Sequence, residues 1–279
     1  MRAYFSQMTG YVYLAFFLML TGIWFVLLNV RGSDANFHFV LANTTILFFI
    51  LIPALTMRIF CEEKTKKTDA LLFTSPLTIG EIVLGKFFAA FSLFLIGVAA
   101  TMIFPFVLKI FGEIPVSQIA GTYVGFILLG AACIAVGIFI SALTENQIVA
   151  AVATMGAIFA MFLIESIAAS MPNSTNASFV FVAIVIVAFA AVWYNAAKKF
   201  FFAFAAALIA IIFAAALYFY DNLIFDGIIV RTAMWFSIFA RFNFFSRGII
   251  RLSDVVFYFS SGALFIFFTV NFLEKRRWR

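Results

Sequence analysis

The largest group of charged side chains in this chain lies between residues 58 and 86, inside a sequence that is otherwise apolar. Glu62 precedes Lys66 by four residues, and Glu63 precedes Lys67 by the same spacing. An acid placed four residues before a base is the order that best supports a helix. The pattern predicts a short helix with a charged face, which can either bind a soluble partner or rest against anionic lipid.

Residues able to perform catalysis or to hold a metal ion do not cluster in this sequence. His38 is the single histidine, and Cys61 and Cys133 lack the spacing of metal ligands. The stretch GEIVLGK at residues 80–86 matches the start of a phosphate-binding loop, but Phe87 stands where Ser or Thr would bind magnesium. We therefore expect a chain that is not itself an enzyme and that binds no cofactor.

Two local signals set the end of the polar helix and the start of the next one. Pro76 disfavours helical backbone at Ser75, so the polar helix is expected to end there. Thr78 and Glu81 have the S/T-x-x-E spacing of a capping box ahead of an apolar run. We predict one helix over residues 61–75 and a new helix that Thr78 caps.

Composition places the rest of the chain in a membrane. Of its 279 residues, 66% are hydrophobic, 11% are charged and 42 are Phe. Soluble domains carry about 25% charged residues, and a membrane-spanning helix needs about 20 apolar residues. We expect an all-α polytopic fold, a single transmembrane domain over residues 1–279. Its eight expected spans lie at roughly 11–30, 38–57, 82–108, 119–143, 147–170, 178–197, 200–220 and 254–273.

The distribution of basic residues predicts how these spans are oriented. Lys198 and Lys199 would lie mid-membrane in one long helix at a cost of about 5–7 kcal/mol, so we divide residues 178–220 into two spans. With eight spans, 12 of the 18 Lys and Arg residues lie on one side. Cytoplasmic loops are enriched in Lys and Arg, so both termini are predicted to be cytoplasmic. The net charge of +6 follows from this topology, and no nucleic-acid partner is expected.

The stretch 221–253 is expected to lie at the outer surface of the membrane. Four arginines stand between its aromatic residues, namely Arg231, Arg241, Arg247 and Arg251. The apolar runs between them are too short to span a bilayer, which predicts one or two amphipathic helices whose Arg side chains reach the headgroups. The segment serves either as a lipid anchor or as a gate. Arg241 and Arg247, with Glu165 in the fifth span, are the candidate residues of a substrate path.

Helix packing and helix bending are also encoded in small residues and prolines. Gly121 and Gly125 form a G-x-x-x-G pair that lets two helices approach closely, either within the chain or between two copies. Pro53 and Pro105 are expected to kink the second and third spans.

Four stretches of the sequence carry motifs that occur together in one family. The longest is PALTMRIFCEEKTKKTDALLFTSPLTIGEIVLGKFFAA, and the others are YFSQMTGYVYLAFFLMLTGIWF, GIFISALTENQIVAAVATM and FNFFSRGIIRLSDVVFYFSSGALFIFFTVNFLEKRRWR. Together they resemble the type 2 ABC transporter permeases, the membrane subunits of bacterial ATP-driven exporters, and most closely the gliding-motility and nitrous-oxide-accessory branch. In this chain Lys67 stands where that family usually has Gly, and residues 178–220 would add two spans to the usual six.

The resemblance implies that residues 61–75 form a coupling helix, which docks in a groove of a separate ABC ATPase subunit. A second contact would come from residues 141–147, SALTENQ. ATP and magnesium would bind to that ATPase, and a second permease, identical or paralogous, would complete the unit in the bacterial cytoplasmic membrane. The candidate contacts are Glu62, Glu63, Lys64, Lys66, Lys67, Thr68, Asp69, Leu71, Leu72, Ser141, Thr144 and Glu145.

The function that we expect is therefore the membrane-spanning permease of an ATP-driven exporter. An ion-coupled secondary transporter would need ionisable residues near the middle of the membrane, and apart from Glu165 the predicted spans lack them. A non-transporting membrane scaffold of a secretion or motility assembly remains an open alternative.

Overall fold

The computed structural model describes residues 9–32, 36–68, 77–171 and 227–277, together with positions 175, 176, 178–182, 186 and 208. All regular structure in these residues is helical. The chain divides into two compact units, Met1–Met161 with Ile238–Arg279, and Phe162–Ser237. The predicted spans 178–197 and 200–220 fall largely outside the described residues and stay predictions.

The described helices follow one another along the chain with short connections. They are α1 (Thr9–Phe25, continued by a π-helical turn Val26–Val30), α2 (His38–Thr44), α3 (Phe48–Thr56, after a 3₁₀ turn Thr45–Leu47), α4 (Cys61–Thr65), α5 (Ile79–Thr101), α6 (Ile103–Phe111), α7 (Val116–Leu143), α8 (Gln147–Ser170), α9 (Ile228–Phe236), α10 (Ile238–Ser246) and α11 (Leu252–Arg277).

Six helical stretches of the described chain are long and apolar enough to cross a bilayer. They are Gly10–Val30, His38–Thr65, Ile79–Phe111, Val116–Leu143, Gln147–Ser170 and Leu252–Arg276. The pair α9 and α10, taken together, passes the same test and would make a seventh. Six of the eight predicted spans are thus confirmed as long apolar helices, consistent with a polytopic membrane protein.

An aromatic cluster joins four helices at the centre of the first unit. Phe17 of α1, Phe48 of α3, Phe94 of α5 and Phe126 of α7 are buried. The ring centroids of Phe48 and Phe126 lie 4.8 Å apart, and those of Phe94 and Phe126 lie 5.7 Å apart. Edge-to-face and offset contacts at such distances add about 0.5–1.5 kcal/mol each to the burial of the rings.

Helix α7 lies in the middle of this unit, in contact with α2, α3, α5, α10 and α11. Its glycines are the points of closest approach. A Cβ on Gly130 would overlap the ring of Phe94, and a Cβ on Gly137 would overlap the side chain of Thr56. Glycine is therefore required at both positions for α3 and α5 to pack against α7.

The G-x-x-x-G pair contacts α10 of the same chain. A Cβ on Gly125 would overlap Phe245, and one on Gly121 would lie 2.9 Å from the Cα of Gly248. The sequence left open whether this motif packs within the chain or between copies, and the structure assigns it to packing within the chain.

The third span is interrupted where Pro105 predicts a kink. The span divides at Met102 into α5 and α6. A proline ring clashes with the carbonyl four residues before it, which here belongs to Thr101 at the last turn of α5. Pro53 lies inside α3, which remains helical around it.

Candidate functional site

Helix α4 packs its inner face against the end of α7. The Nζ atom of Lys64 donates to the carbonyl oxygen of Ala142 and, at 3.5 Å, to that of Thr144. The thiol of Cys61 donates to the carbonyl oxygen of Ser141 at 3.3 Å. Lys64 and Cys61 are both buried. We call residues 61–68, which are α4 and the turn that ends it, together with residues 141–146 the Cys61 corner.

These contacts exist because α7 ends without a local cap. The last four carbonyls of a helix have no partner within it, and the chain leaves α7 at Thr144 with an extended backbone, φ −113° and ψ 160°. Side chains of α4 supply the missing donors instead. A Lys ammonium at a helix C-terminus is also favoured by the helix dipole. Helix α4 thus acts as the C-terminal cap of the central helix.

The turn that follows α7 makes two further hydrogen bonds, one to α4 and one to α8. The hydroxyl of Thr65 donates to the carbonyl oxygen of Glu145 at 2.7 Å. The side-chain oxygen of Asn146 accepts from the backbone N–H of Ile148 at 2.9 Å, which caps the start of α8. The turn from α7 to α8 is therefore bonded both to α4 and to the helix that it begins.

Helix α4 ends one turn after it begins, in a Schellman motif. Thr68 donates its N–H to the carbonyl of Glu63 at 2.9 Å, and Lys67 donates its N–H to that of Lys64 at 3.0 Å. Lys67 has φ 55°, the left-handed conformation that favours glycine. The predicted continuous helix over 61–75 is therefore wrong, because the chain leaves helical backbone at Lys67. Residues 69–76 lie outside the described residues.

The two predicted ion pairs of α4 have different outcomes. Lys66 pairs with Glu62 at 2.6 Å, as its spacing predicts. Glu63 pairs with Lys86 of α5 rather than with Lys67, because the left-handed turn removes Lys67 from the helix face. Lys86 also donates to the carbonyl of Ile59 at 2.7 Å. Its ammonium lies 4.3 Å from the centroid of the Phe60 ring.

The predicted capping box at the start of α5 is confirmed. The backbone N–H of Glu81 donates to the Thr78 hydroxyl at 3.3 Å, and the backbone N–H of Thr78 donates to the Glu81 carboxylate at 2.8 Å. Two donors that the helix itself leaves unpaired are satisfied in this way.

Helix α11 also contacts the corner. Arg276, near its C-terminal end, pairs with Glu145 at 3.0 Å. The ammonium of Lys64 lies 5.7 Å from the centroid of the Phe272 ring. The Cys61 corner therefore contacts α5, α7 and α11 and the turn that begins α8.

The predicted partner contacts divide by exposure. Lys66, Lys67 and Glu145 are exposed, and Glu62, Glu63, Thr68 and Thr144 are partly exposed. Lys64 and Ser141 are buried and hydrogen-bonded within the chain, so their side chains are removed from the candidate surface. Asp69, Leu71 and Leu72 lie outside the described residues.

The two candidate substrate-path residues of the first unit, Arg241 and Arg247, differ in exposure. Arg241 is buried and pairs with Asp254 at 2.6 Å, and its guanidinium lies 3.9 Å from the centroid of the Phe257 ring. The expectation that Arg241 reaches lipid headgroups is wrong, because α10 packs on α7 and places this side chain inside. Arg247 is exposed, as expected. Glu165 belongs to the second unit and is half-buried.

Sequence reasoning missed four residues that hold these sites: Cys61, Lys86, Asn146 and Asp254. Cys61 lies three residues before Lys64, so both could have been placed on one face of a short helix. Asp254, two residues into α11, carries a charge at a helix start, and a nearby arginine is its natural partner. No comparable signal marks the contact between Lys86 and Glu63.

No known family model, curated protein or solved structure matches this chain. Its function is therefore inferred from its own sequence motifs and geometry.

Proposed function

We propose that this chain is the membrane-spanning subunit of an ATP-driven exporter and that a separate ABC ATPase docks at the Cys61 corner. The observation that carries the proposal is the connection of this corner to several spanning helices at once. Lys64 links α4 to α7, Glu63 links it to α5 through Lys86, and Arg276 links α11 to the adjoining turn. A force applied to α4 would reach three membrane helices through these bonds.

The outer face of the same corner has the chemistry of a recognition surface. Lys66, Lys67 and Glu145 are exposed there, and Glu62 is partly exposed. Exposed ion pairs contribute only about 0–1 kcal/mol to stability. Charges that add so little to folding are well placed to select and orient a partner protein.

The alternatives are less well supported by the described residues. An ion-coupled transporter needs ionisable groups near mid-membrane, and the middle third of each described spanning stretch contains no Asp, Glu, Lys or Arg. A passive scaffold would need no ATPase at the corner. The resemblance to type 2 ABC permeases favours the exporter, with ATP and magnesium on the ATPase and a second permease completing the unit. Coupling then requires that the ATPase contact α4 differently in its ATP-bound and ATP-free states.

A charge-swap variant tests the docking surface without removing the ion pair of α4. In Glu62→Lys with Lys66→Glu the two side chains can still pair, although in the less favourable order. We expect the swapped chain to fold and to reach the membrane. It should lose co-purification with an ABC ATPase that is co-expressed from the same cell and co-purifies with the unchanged chain, and the ATP hydrolysis of that complex should be lost with it.

The matched control is Lys109→Glu, which changes an exposed charge at the far end of α6. This control should retain the ATPase and its activity. If the swapped chain binds and activates the ATPase as the unchanged chain does, docking at this corner is refuted.

A further inference from the structure

A pocket of about 540 Å³ opens beyond the C-terminal end of α6. The Cys61 corner contacts the other end of the same span, near the start of α5. Three segments of the chain form the pocket: the start of α2, the connection from α6 to α7, and the residue that follows α10. Its polar lining includes Asn36, His38, Glu113, Gln118 and Arg247. The pocket lies where spanning helices end, which is the depth of lipid headgroups in a bilayer.

The two charged residues of this pocket are of opposite sign and do not pair. Glu113 and Arg247 are both exposed. Within the described part of the chain, neither side chain has an ion-pair partner, although both line the same pocket. A carboxylate and a guanidinium held apart in one pocket can each bind one end of a ligand that carries both charges.

Backbone packing fixes one wall of the pocket, where residues 247–248 meet the start of α7. Gly248 has φ 78°, and a Cβ on it would lie 3.1 Å from the Cα of Gln118. A Cβ on Gly121 would lie 2.9 Å from the Cα of Gly248. Arg247 is therefore held beside α7 by direct backbone contact, which only glycine permits. This wall is preformed, so a ligand needs little ordering of Arg247's backbone to bind.

Apolar side chains continue from the pocket onto the exposed surface beside it. Phe39 and Ile114 line the pocket itself. Phe111 and Ile249, each two residues from a charged residue of the pocket, are 83% and 47% exposed. A ligand with a charged head in the pocket could lay an apolar tail along this surface.

We propose that the pocket binds the headgroup of a zwitterionic phospholipid with a primary amine. Arg247 binds the phosphate, and Glu113 accepts hydrogen bonds from the ammonium group. The amide of Gln118 offers further hydrogen bonds, and the acyl chains lie along Phe111 and Ile249. The inference does not depend on the proposed function, because it needs neither an ATPase nor transport.

The chemistry distinguishes lipids that differ in one group. Phosphatidylethanolamine has both the phosphate and an ammonium that donates hydrogen bonds. Phosphatidylcholine keeps the charges but its quaternary ammonium cannot donate, and phosphatidylglycerol has no cation. A soluble zwitterion, glycerophosphoethanolamine, has the same head and no acyl chains, so it separates a membrane lipid from a soluble ligand.

Native mass spectrometry of the full chain in detergent measures these preferences directly. We expect phosphatidylethanolamine to bind about fivefold more tightly than phosphatidylglycerol, the ratio for one exposed charge contact of about 1 kcal/mol. Glu113→Gln should abolish that preference, and Arg247→Gln should weaken the binding of phosphatidylethanolamine, phosphatidylcholine and phosphatidylglycerol alike. Lys109→Gln, an exposed cation nearby that does not line the pocket, should change nothing.

Three results would overturn the proposal. The first is equal retention of all three lipids by the unchanged chain. The second is a preference for phosphatidylethanolamine that survives Glu113→Gln. The third is binding of glycerophosphoethanolamine as strong as that of the lipid, which would assign the pocket to a soluble zwitterion.

Discussion

Among the described residues of the first unit two cations are buried, and different partners stabilise them. Lys64, in the Cys61 corner, donates to the backbone carbonyls of Ala142 and Thr144. Arg241 pairs with a side chain, the carboxylate of Asp254. Beside this pair, the hydroxyl of Tyr258 donates to the carbonyl of Ile238 at 2.7 Å, which joins α11 to the start of α10. We call Arg241, Asp254, Phe257 and Tyr258 the Arg241 cluster.

The difference in partners changes what each contact does. Backbone carbonyls stay in place whenever α7 is helical, so Lys64 has its acceptors whenever α4 packs on a folded α7. A carboxylate partner carries a full charge, and removing either member of a buried pair leaves the other uncompensated. The Cys61 corner is thus a cap built into a helix end, whereas the Arg241 cluster depends on two side chains being present together.

The largest expected effect is at the Arg241 cluster. Arg241→Met leaves the Asp254 carboxylate buried without its counter-charge, which should lower the free energy of unfolding by about 3–5 kcal/mol. Thermal unfolding of the detergent-purified chain measures this loss. The double variant Arg241→Met with Asp254→Leu replaces the pair by apolar groups and should recover most of the stability. A double variant no more stable than the single one would contradict the account.

A smaller loss is expected at the Cys61 corner. Lys64→Met keeps the apolar stem but removes the ammonium from the carbonyls of Ala142 and Thr144, at a cost of about 1.5–3 kcal/mol. Hydrogen exchange in the first turn of α8 should become faster, because the turn before it loses a support. Lys66→Met, at an exposed position of the same helix, should cost less than about 1 kcal/mol. Equal losses in the two variants would show that Lys64 has no special role.

Close packing of α10 on α7 can be tested at one glycine. A Cβ in Gly125→Ala would overlap Phe245, and such overpacking costs about 1–3 kcal/mol. Gly85→Ala is the matched control, because no atom lies within 4 Å of the added Cβ. Alanine in an open helical position should stabilise α5 by about 0.5–1 kcal/mol. The two substitutions are therefore predicted to shift the melting temperature in opposite directions, and shifts of the same sign would refute the close contact.

The smallest effect is a gain at the end of α4. Lys67 has φ 55°, a conformation that costs a residue with a Cβ about 1–2 kcal/mol. Lys67→Gly removes that cost but adds about 0.4–1 kcal/mol of chain entropy in the unfolded state, so the net gain should be about 0.5–1 kcal/mol. Lys66→Gly, at φ −81°, should instead destabilise. A melting temperature that falls for Lys67→Gly would argue against the Schellman turn.

Features that depend on a few neighbouring residues were predictable from the sequence. The apolar runs predicted six described spanning stretches, and the three-residue spacing of Thr78 and Glu81 predicted their capping box. The family that this chain resembles usually has Gly where Lys67 stands, and that Gly could also have predicted the end of the helix. Glycine at that position fits a left-handed helix end, and the structure has that conformation there.

Contacts between distant parts of the chain were not predictable from local patterns. Lys64 reaches a carbonyl 78 residues away, and Lys86 reaches Glu63 across 23 residues. The resemblance made Lys64 a candidate contact of a partner, and the short apolar runs of 221–253 assigned Arg241 to the membrane surface. Each inference describes only its own stretch of the chain. The burial of Arg241 depends on Gly121 and Gly125, which allow α10 to approach α7.

The most direct test of the proposed docking surface is a site-specific photo-crosslink in intact membranes. A photo-reactive phenylalanine analogue is introduced at Lys67 or Glu145, the exposed positions of the Cys61 corner, and at Lys109 and Arg31 as controls. We predict that the first two positions, and neither control, form an adduct with an ABC ATPase subunit. Adducts with that ATPase at the control positions instead, or none at Lys67 and Glu145 in membranes that contain it, would contradict the account.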